Sequence, residues 1–274
     1  MKTDLIVKIL ILIYILAVGT VLYLYGTGTT EGTINNIYGV AFLGLIPVLG
    51  GISGLAVSRK WGSLKSAVGR AILFLSLGLI SWGVGTFIFS GVYNLLLQVE
   101  IPYPSFADVG YILSLPLWAY GMIEISRASG AQFGLRGSGG RVMLLLIPLI
   151  VIAASYYLLV VIARGGSIGY EDSELLKLFF DFAYPIGDVV ILTIATLIYG
   201  LSYEYFGGVY KKAIYAILFG FVLMYAADFA FSYTTTLGTW HPADWVDLLF
   251  TTAVLVLSIG VNMFDPERYP SAQA

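Results

Sequence analysis

Asp181, Tyr184 and Asp188 stand at i, i+3 and i+7 within Phe179-Phe180-Asp181-Phe182-Ala183-Tyr184-Pro185-Ile186-Gly187-Asp188. That spacing places them on one face of a helix. Related pieces occur at Pro104-Ser105-Phe106-Ala107-Asp108 and at Pro242-Ala243-Asp244, with Asp247 one turn further on. Asp228 follows Tyr225 by three residues and precedes Ser232 by four. Carboxyls grouped with aromatics suit a small cation, an amine or a lipid head group. Carboxyls buried in a membrane also suit proton relays and coupled transport.

Each residue also has a structural role to be weighed against these. An aspartate at a helix start is a common cap and favours the helix dipole, which best explains Asp108 and Asp244. Asp181, Asp188, Asp228 and Asp247 lie further inside apolar runs. There a carboxyl bonded to a tyrosine or to backbone can tie helices together, and for these four the structural and functional roles both stay open. The interfacial aromatic belt accounts for Trp240, Trp245 and most tyrosines. Trp82 and Trp118 lie deeper, as core packing or as a ligand wall. The candidate ligand-binding set is Asp181, Tyr184, Asp188, Asp228 and Asp247, with Asp108, Tyr111, Trp82, Tyr225 and Tyr233 around them. No catalytic residue and no metal is assigned.

The elements that position these residues follow from composition. The chain has 274 residues, 59% hydrophobic and 11% charged, with a mean hydropathy of +0.91. A soluble surface needs about a quarter of residues charged, so the expectation is an all-α integral membrane protein. Eight segments are long enough to span, near 4–25, 37–57, 68–95, 107–126, 141–163, 174–202, 209–234 and 243–264, because about 20 residues cross the hydrocarbon. The first reads as an anchor rather than a cleaved signal. Residues 1–66 form a helix pair with a basic loop, 67–264 a six-helix bundle and 265–274 a short tail. The bundle reads as three sequential hairpin repeats, helices 3-4, 5-6 and 7-8. Packed about a common axis, their acids would converge on a cup opening outward, with helices one and two peripheral and no acid in the opposite half of the core.

Twelve of the fourteen basic residues fall on the side of the termini, leaving Arg164 and Lys177 opposite. By the positive-inside rule both termini are expected in the cytoplasm, with the chain in the plasma membrane. The arginines of the Gly- and Ser-rich loop 127–141 are assigned to topology and anionic lipid. Pro47, Pro116 and Pro148 lie inside apolar runs and read as local kinks.

Several functions are excluded. The chain has no cysteine, hence no disulfide, thiolate site or cysteine nucleophile. One histidine, His241, cannot make a histidine metal cluster or a bis-histidine haem. No lysine lies mid-membrane in a late helix, which argues against retinal. No phosphate loop, nucleotide fingerprint or basic nucleic-acid patch is present, so no cofactor and no nucleic acid is expected.

Trp82-Gly83, then Pro102-Tyr103-Pro104-Ser105-Phe106-Ala107-Asp108-Val109-Gly110-Tyr111, then Pro116-Leu117 resembles the N-terminal membrane sensory region of bacterial diguanylate cyclase/phosphodiesterase (GGDEF/EAL) signalling proteins. Asp181 to Asp188 is similar to the second motif of that region. Ala227-Asp228, with Tyr233, Gly238 and Asp247, is similar to the third. The resemblance covers roughly residues 70–260 and implies a membrane sensor. No cyclase, phosphodiesterase or kinase domain follows residue 264, so the expectation is a stand-alone module acting through a separate cytoplasmic partner. The alternatives are a proton- or ion-coupled carrier and, third, an intramembrane aspartyl-type hydrolase. For the last, Pro185-Ile186-Gly187-Asp188 lacks the first glycine of the Gly-x-Gly-Asp signature. The balance leans away from an enzyme.

Overall fold

The computed structural model describes residues 3–129, 138–166, 175–202 and 210–268. Among them the chain forms no strand, and eight helices are long and apolar enough to cross a membrane. They are α1 (Thr3–Thr27), α2 (Thr33–Lys60), α3 (Ala67–Leu97), α4 (Phe106–Ala128), α5 (Gly139–Ile162), α6 (Leu175–Leu201), α7 (Lys211–Thr236) and α8 (Trp245–Asn262). This architecture is that expected of a multi-pass membrane protein. The acidic run 171–174 and Arg136 lie outside the described residues.

The observed bounds follow the expected segments to within four residues. The largest difference is the start of α2, where Asn35, buried on the first turn, donates from Nδ2 to the Pro242 carbonyl at 3.0 Å. A tertiary contact extends the helix beyond the point where hydropathy begins. Three helices widen into π turns, at Gly39–Gly44 in α2, Phe87–Leu97 in α3 and Tyr156–Ile162 in α5. All three lie toward the end of the bundle opposite the termini, here called the far face. A π turn leaves apolar content unchanged and shifts only the phase of the side chains, so composition does not reveal it.

At the centre are α2, α3 and α8. Helix α3 packs on α2 and α4, and α8 packs on α7, α2 and α1. Helix α6 touches α4, α5 and α7, and α5 lies at the edge. The expectation that α2 is peripheral is therefore corrected. Its glycines explain the difference, since a Cβ on Gly50 would collide with Ser258 of α8 and one on Gly54 with Ser76 of α3. Lack of buried acids describes the polarity of α2, whereas its small residues set how closely neighbours approach. The partners of the expected hairpins, 3-4, 5-6 and 7-8, are in contact. Sequential helices joined by short connections pack this way with or without an internal repeat.

The opposite half of the core does hold acids, which corrects a second expectation. Glu124 of α4, fully buried, accepts from Arg70 Nε at 3.0 Å and from Arg70 Nη2 at 2.9 Å, and pairs with Arg127 one turn on. Arg70 and Arg127 thus engage protein rather than standing free for lipid. Asp265, just after α8, takes Lys60 Nζ at 2.9 Å and 3.0 Å on its two oxygens, and accepts from the Thr3 hydroxyl and the Glu267 N–H. Arg268 closes on Asp4 at 2.6 Å. These contacts bring both chain ends together on one face, the terminal face.

Burial pushes the Asp265 carboxyl up, but the Thr3 hydroxyl, the Lys60 ammonium and the Glu267 N–H outweigh it and hold the carboxyl below its usual range. A folded-state value below the unfolded one stabilises fully above about pH 4 and is lost as pH falls through the folded value. Asp265→Asn should therefore cost about 2 kcal/mol at neutral pH. That gap from wild type should close below about pH 4, read as unfolding midpoints in detergent across pH. A gap that stays constant with pH would remove Asp265 from the terminal clasp.

Candidate functional site

The first cluster of candidate residues lies toward the far face, at the ends of α3, α4 and α8. Ser105 and Asp108 open α4 with a capping box: the Asp108 Oδ2 accepts from Ser105 N at 2.6 Å and Ser105 Oγ at 2.9 Å, while Ser105 Oγ accepts from Ala107 N at 3.2 Å. The other oxygen, Oδ1, accepts from the Tyr184 hydroxyl of α6 at 2.6 Å. Asp108 is therefore a cap, as expected, and also a tie between α4 and α6. Tyr111 donates to Thr86 Oγ1 at 3.3 Å. Its ring lies 5.5 Å from that of Trp82, which in turn lies 5.9 Å from Phe250. Trp82 is buried and forms part of the packing between α3, α4 and α8.

Asp244 caps α8, accepting from Val246 N at 2.8 Å and Asp247 N at 3.1 Å. Burial pushes its carboxyl above the usual value, and those same backbone N–H groups pull against the rise. Asp247 reaches back over the turn, taking Ala243 N at 2.8 Å and Trp240 Nε1 at 3.4 Å. This reciprocal arrangement satisfies backbone donors that would otherwise be stranded at the helix start. Asp247 thus joins Asp108 and Asp244 in closing helix ends, and the far-face acids are engaged by the turns that they close.

Asp188 and Asp228 form a separate constellation. Asp188 is the middle residue of α6, thirteen residues from either end of the span, which is roughly 20 Å at 1.5 Å per residue. Asp188 therefore lies further from the start of its helix than Asp108 and Asp244 lie from theirs, and Pro185 is inside the continuous helix, as the expected span 174–202 has it. Asp188 is buried, and its carboxyl meets that of Asp228 across the α6–α7 interface in a side-chain hydrogen bond. A carboxylate is an acceptor only, so this contact contains at least one proton. Among the described residues no ion pair engages either group.

Two hydroxyls adjoin the pair. Tyr225, one turn before Asp228 and within electrostatic reach of Asp188, donates to Ser155 Oγ of α5 at 2.9 Å. Ser155 is the last residue before the π turn of α5. One turn beyond Asp228, Ser232 Oγ accepts from Arg164 Nε at 3.5 Å. On α6, Pro185 has no N–H to give, which leaves the carbonyl of residue 181 without its helical donor. Next to the pair, a Cβ on Gly187 would strike Leu115, so α6 lies close on α4 at this level.

Of the sequence candidates, the structure joins Asp188, Asp228 and Tyr225 in one place, and Asp108, Tyr184, Tyr111, Trp82 and Asp247 in another. Tyr233 is 40% exposed and stacks on Phe229 at 6.2 Å, away from both. The side chain of Asp181 lies outside the described residues. Sequence reasoning missed Ser155, whose only signal is a single hydroxyl in an apolar run. Among the described residues no three His, Cys, Asp or Glu side chains gather into a metal-holding group. Comparison with family models, with curated proteins and with solved structures finds no match.

The double role of Asp108 sets an order of stability. Tyr184→Phe removes one donor and leaves the cap intact, for a loss of about 1 kcal/mol. Asp108→Ala removes the cap as well and strands the Ser105 N–H and Tyr184 O–H, for a loss of about 2–4 kcal/mol. Thermal unfolding in detergent reads both, and equal losses would show that the cap contributes nothing.

Proposed function

We propose that the chain is a membrane-embedded, sensor-like binding module whose site is the Asp188–Asp228 pair and whose ligand is a small cation or amine. The observation that carries this reading is two carboxyls meeting each other between two spanning helices, inside both, with no ion pair on either among the described residues. Ionisable groups at that depth are costly and in most cases serve binding or transfer. The far-face acids, by contrast, are occupied by backbone donors. The site therefore moves inward from the outer cup that the sequence suggests.

Tyr184 fastens the first half of α6 to α4, Pro185 follows directly, and Asp188 lies one turn beyond. A ligand that pulls on Asp188 acts on the part of α6 beyond that fixed point. The motif resemblance to a sensory membrane region supports a signalling role. The distribution of basic residues supports a plasma-membrane protein with cytoplasmic termini, where a separate partner would read the change. A coupled carrier is the second reading, favoured by a buried carboxyl pair between two spanning helices, since such groups serve proton relays and coupled transport.

Native mass spectrometry and ligand-induced thermal shifts test the site together. A ligand present at a hundred times its Kd stabilises by about 2.7 kcal/mol. A panel of alkali cations, calcium and polyamines, with choline balancing ionic strength, should contain a stabilising member. That stabilisation, and any co-purified mass, should vanish in Asp188→Asn and persist in Asp247→Asn. Persistence in both variants would remove the pair from the binding site, and ligand-driven flux in proteoliposomes would favour the carrier.

A further inference from the structure

The Asp188–Asp228 contact does more than offer oxygens, because it is also the polar clasp between two loosely joined helices. We infer that it is a proton-operated latch, closed while one proton is shared between the carboxyls and opened when that proton leaves. The inference rests on the pair being the functional centre proposed above and adds how it is regulated.

The step is simple in its balance. A hydrogen-bonded acid and carboxylate, of net charge −1, lose one proton to water and become two carboxylates, of net charge −2. No bond other than O–H breaks. Two carboxylates offer no donor to each other, and like charges at contact repel, so the attraction across α6–α7 turns into repulsion.

The surroundings determine whether repulsion becomes movement. The pair joins α6, an outer helix beside α5, to α7, which packs along α8, so α6 is the side that can yield. Next to Asp188, Pro185 removes a backbone hydrogen bond from α6, and helices bend at such a position. On the other side of Pro185, Tyr184 is fixed to Asp108 at 2.6 Å. Past Pro185 the close approach of Gly187 to Leu115 keeps α6 on α4, so a push on Asp188 swings the part of α6 beyond that contact, nearer the terminal face, while the far half stays anchored. Facing the pair are Tyr225 from α7, bonded to Ser155 of α5, and Tyr184 from α6 itself. Arg164 of the α5 end reaches Ser232, one turn beyond Asp228. From α4 the nearest charge is Asp108, held by its cap and by Tyr184, and from α8 it is Asp247, held by its own turn. Neither supplies a cation to compensate the second negative charge.

The absence of cysteine allows the movement to be measured directly. Val190 of α6 and Phe219 of α7 are exposed on the helix surfaces, and Val190→Cys with Phe219→Cys provides two spin-label positions below the hinge. In nanodiscs without added ligand, the interlabel distance should shift by about 2 Å between about pH 4 and about pH 9. Asp188→Asn should abolish the shift and keep the distance at its low-pH value, because an amide donates to the Asp228 carboxylate as the protonated acid does and the fold keeps its contact. Asp228→Asn is the reciprocal control. A distance that does not change with pH, or a shift that survives in both variants, overturns the latch. If the distance is fixed while ligand stabilisation is still lost in Asp188→Asn, only the latch fails. If the shift occurs while ligand binding ignores Asp188, the latch stands and the binding site lies elsewhere.

Discussion

A hydrocarbon interior offers no hydrogen bonds, so every polar group that the chain carries into it must be matched by another part of the chain. The acids of this bundle are sorted by how they meet that demand. Toward the terminal face Glu124 and Asp265 are matched by arginine and lysine. At the far face Asp108, Asp244 and Asp247 are matched by the backbone N–H groups of the turns that start α4 and α8. Among the described residues, only between α6 and α7 is an acid matched by another acid, Asp188 with Asp228. Both lie inside their helices, away from the cations and helix starts that are available where helices end. Asp188 and Asp228 are left with each other as partners, and a proton is what makes the match possible.

The number and placement of the spans were legible because hydrocarbon thickness sets a minimum apolar length, and eight runs meet it. The caps at Asp108 and Asp244 were legible because a proline-containing loop followed by a small residue and an acid is a helix start. The pairing of Asp188 with Asp228 was not, because the two lie on different helices and forty residues apart in the sequence. The role of Glu124 was half visible, since Arg127 is three residues away, but Arg70 lies 54 residues off in sequence. The centrality of α2 was hidden for a different reason. Hydropathy measures what a helix would do in lipid, while close packing depends on where a helix has no side chain, as at Gly50 and Gly54.

The division between rigid and adjustable parts follows from the same packing. At the crossing of α3 and α4, Gly110 and Gly85 approach so closely that a Cβ on Gly110 would lie 2.7 Å from the Gly85 Cα, and Ser81 donates to the Gly110 carbonyl at 2.8 Å. Interfaces of that kind are stiff, because moving either helix loses many contacts at once. The capped acids of α4 and α8 belong to this stiff part, and their carboxyls hold it in place.

Asp188 belongs to the other part and faces Asp228 on α7, which packs along α8. Helix α5 is the least buried of the eight, and α6 has low burial as well. Both are interrupted near the pair, α6 by Pro185 and α5 by the π turn that begins after Ser155. A backbone with missing or re-registered hydrogen bonds resists bending less than a regular helix. The bundle therefore places an acid–acid contact where α6 meets a better-packed helix, and fastens the neighbouring turn of α6 to the stiff part through Tyr184 and Asp108. A buried carboxyl that served only to hold helices together would gain nothing from compliant neighbours. The combination of an anchored turn, a weakened backbone and a shared proton is the arrangement in which a small change at the pair becomes a displacement of α6.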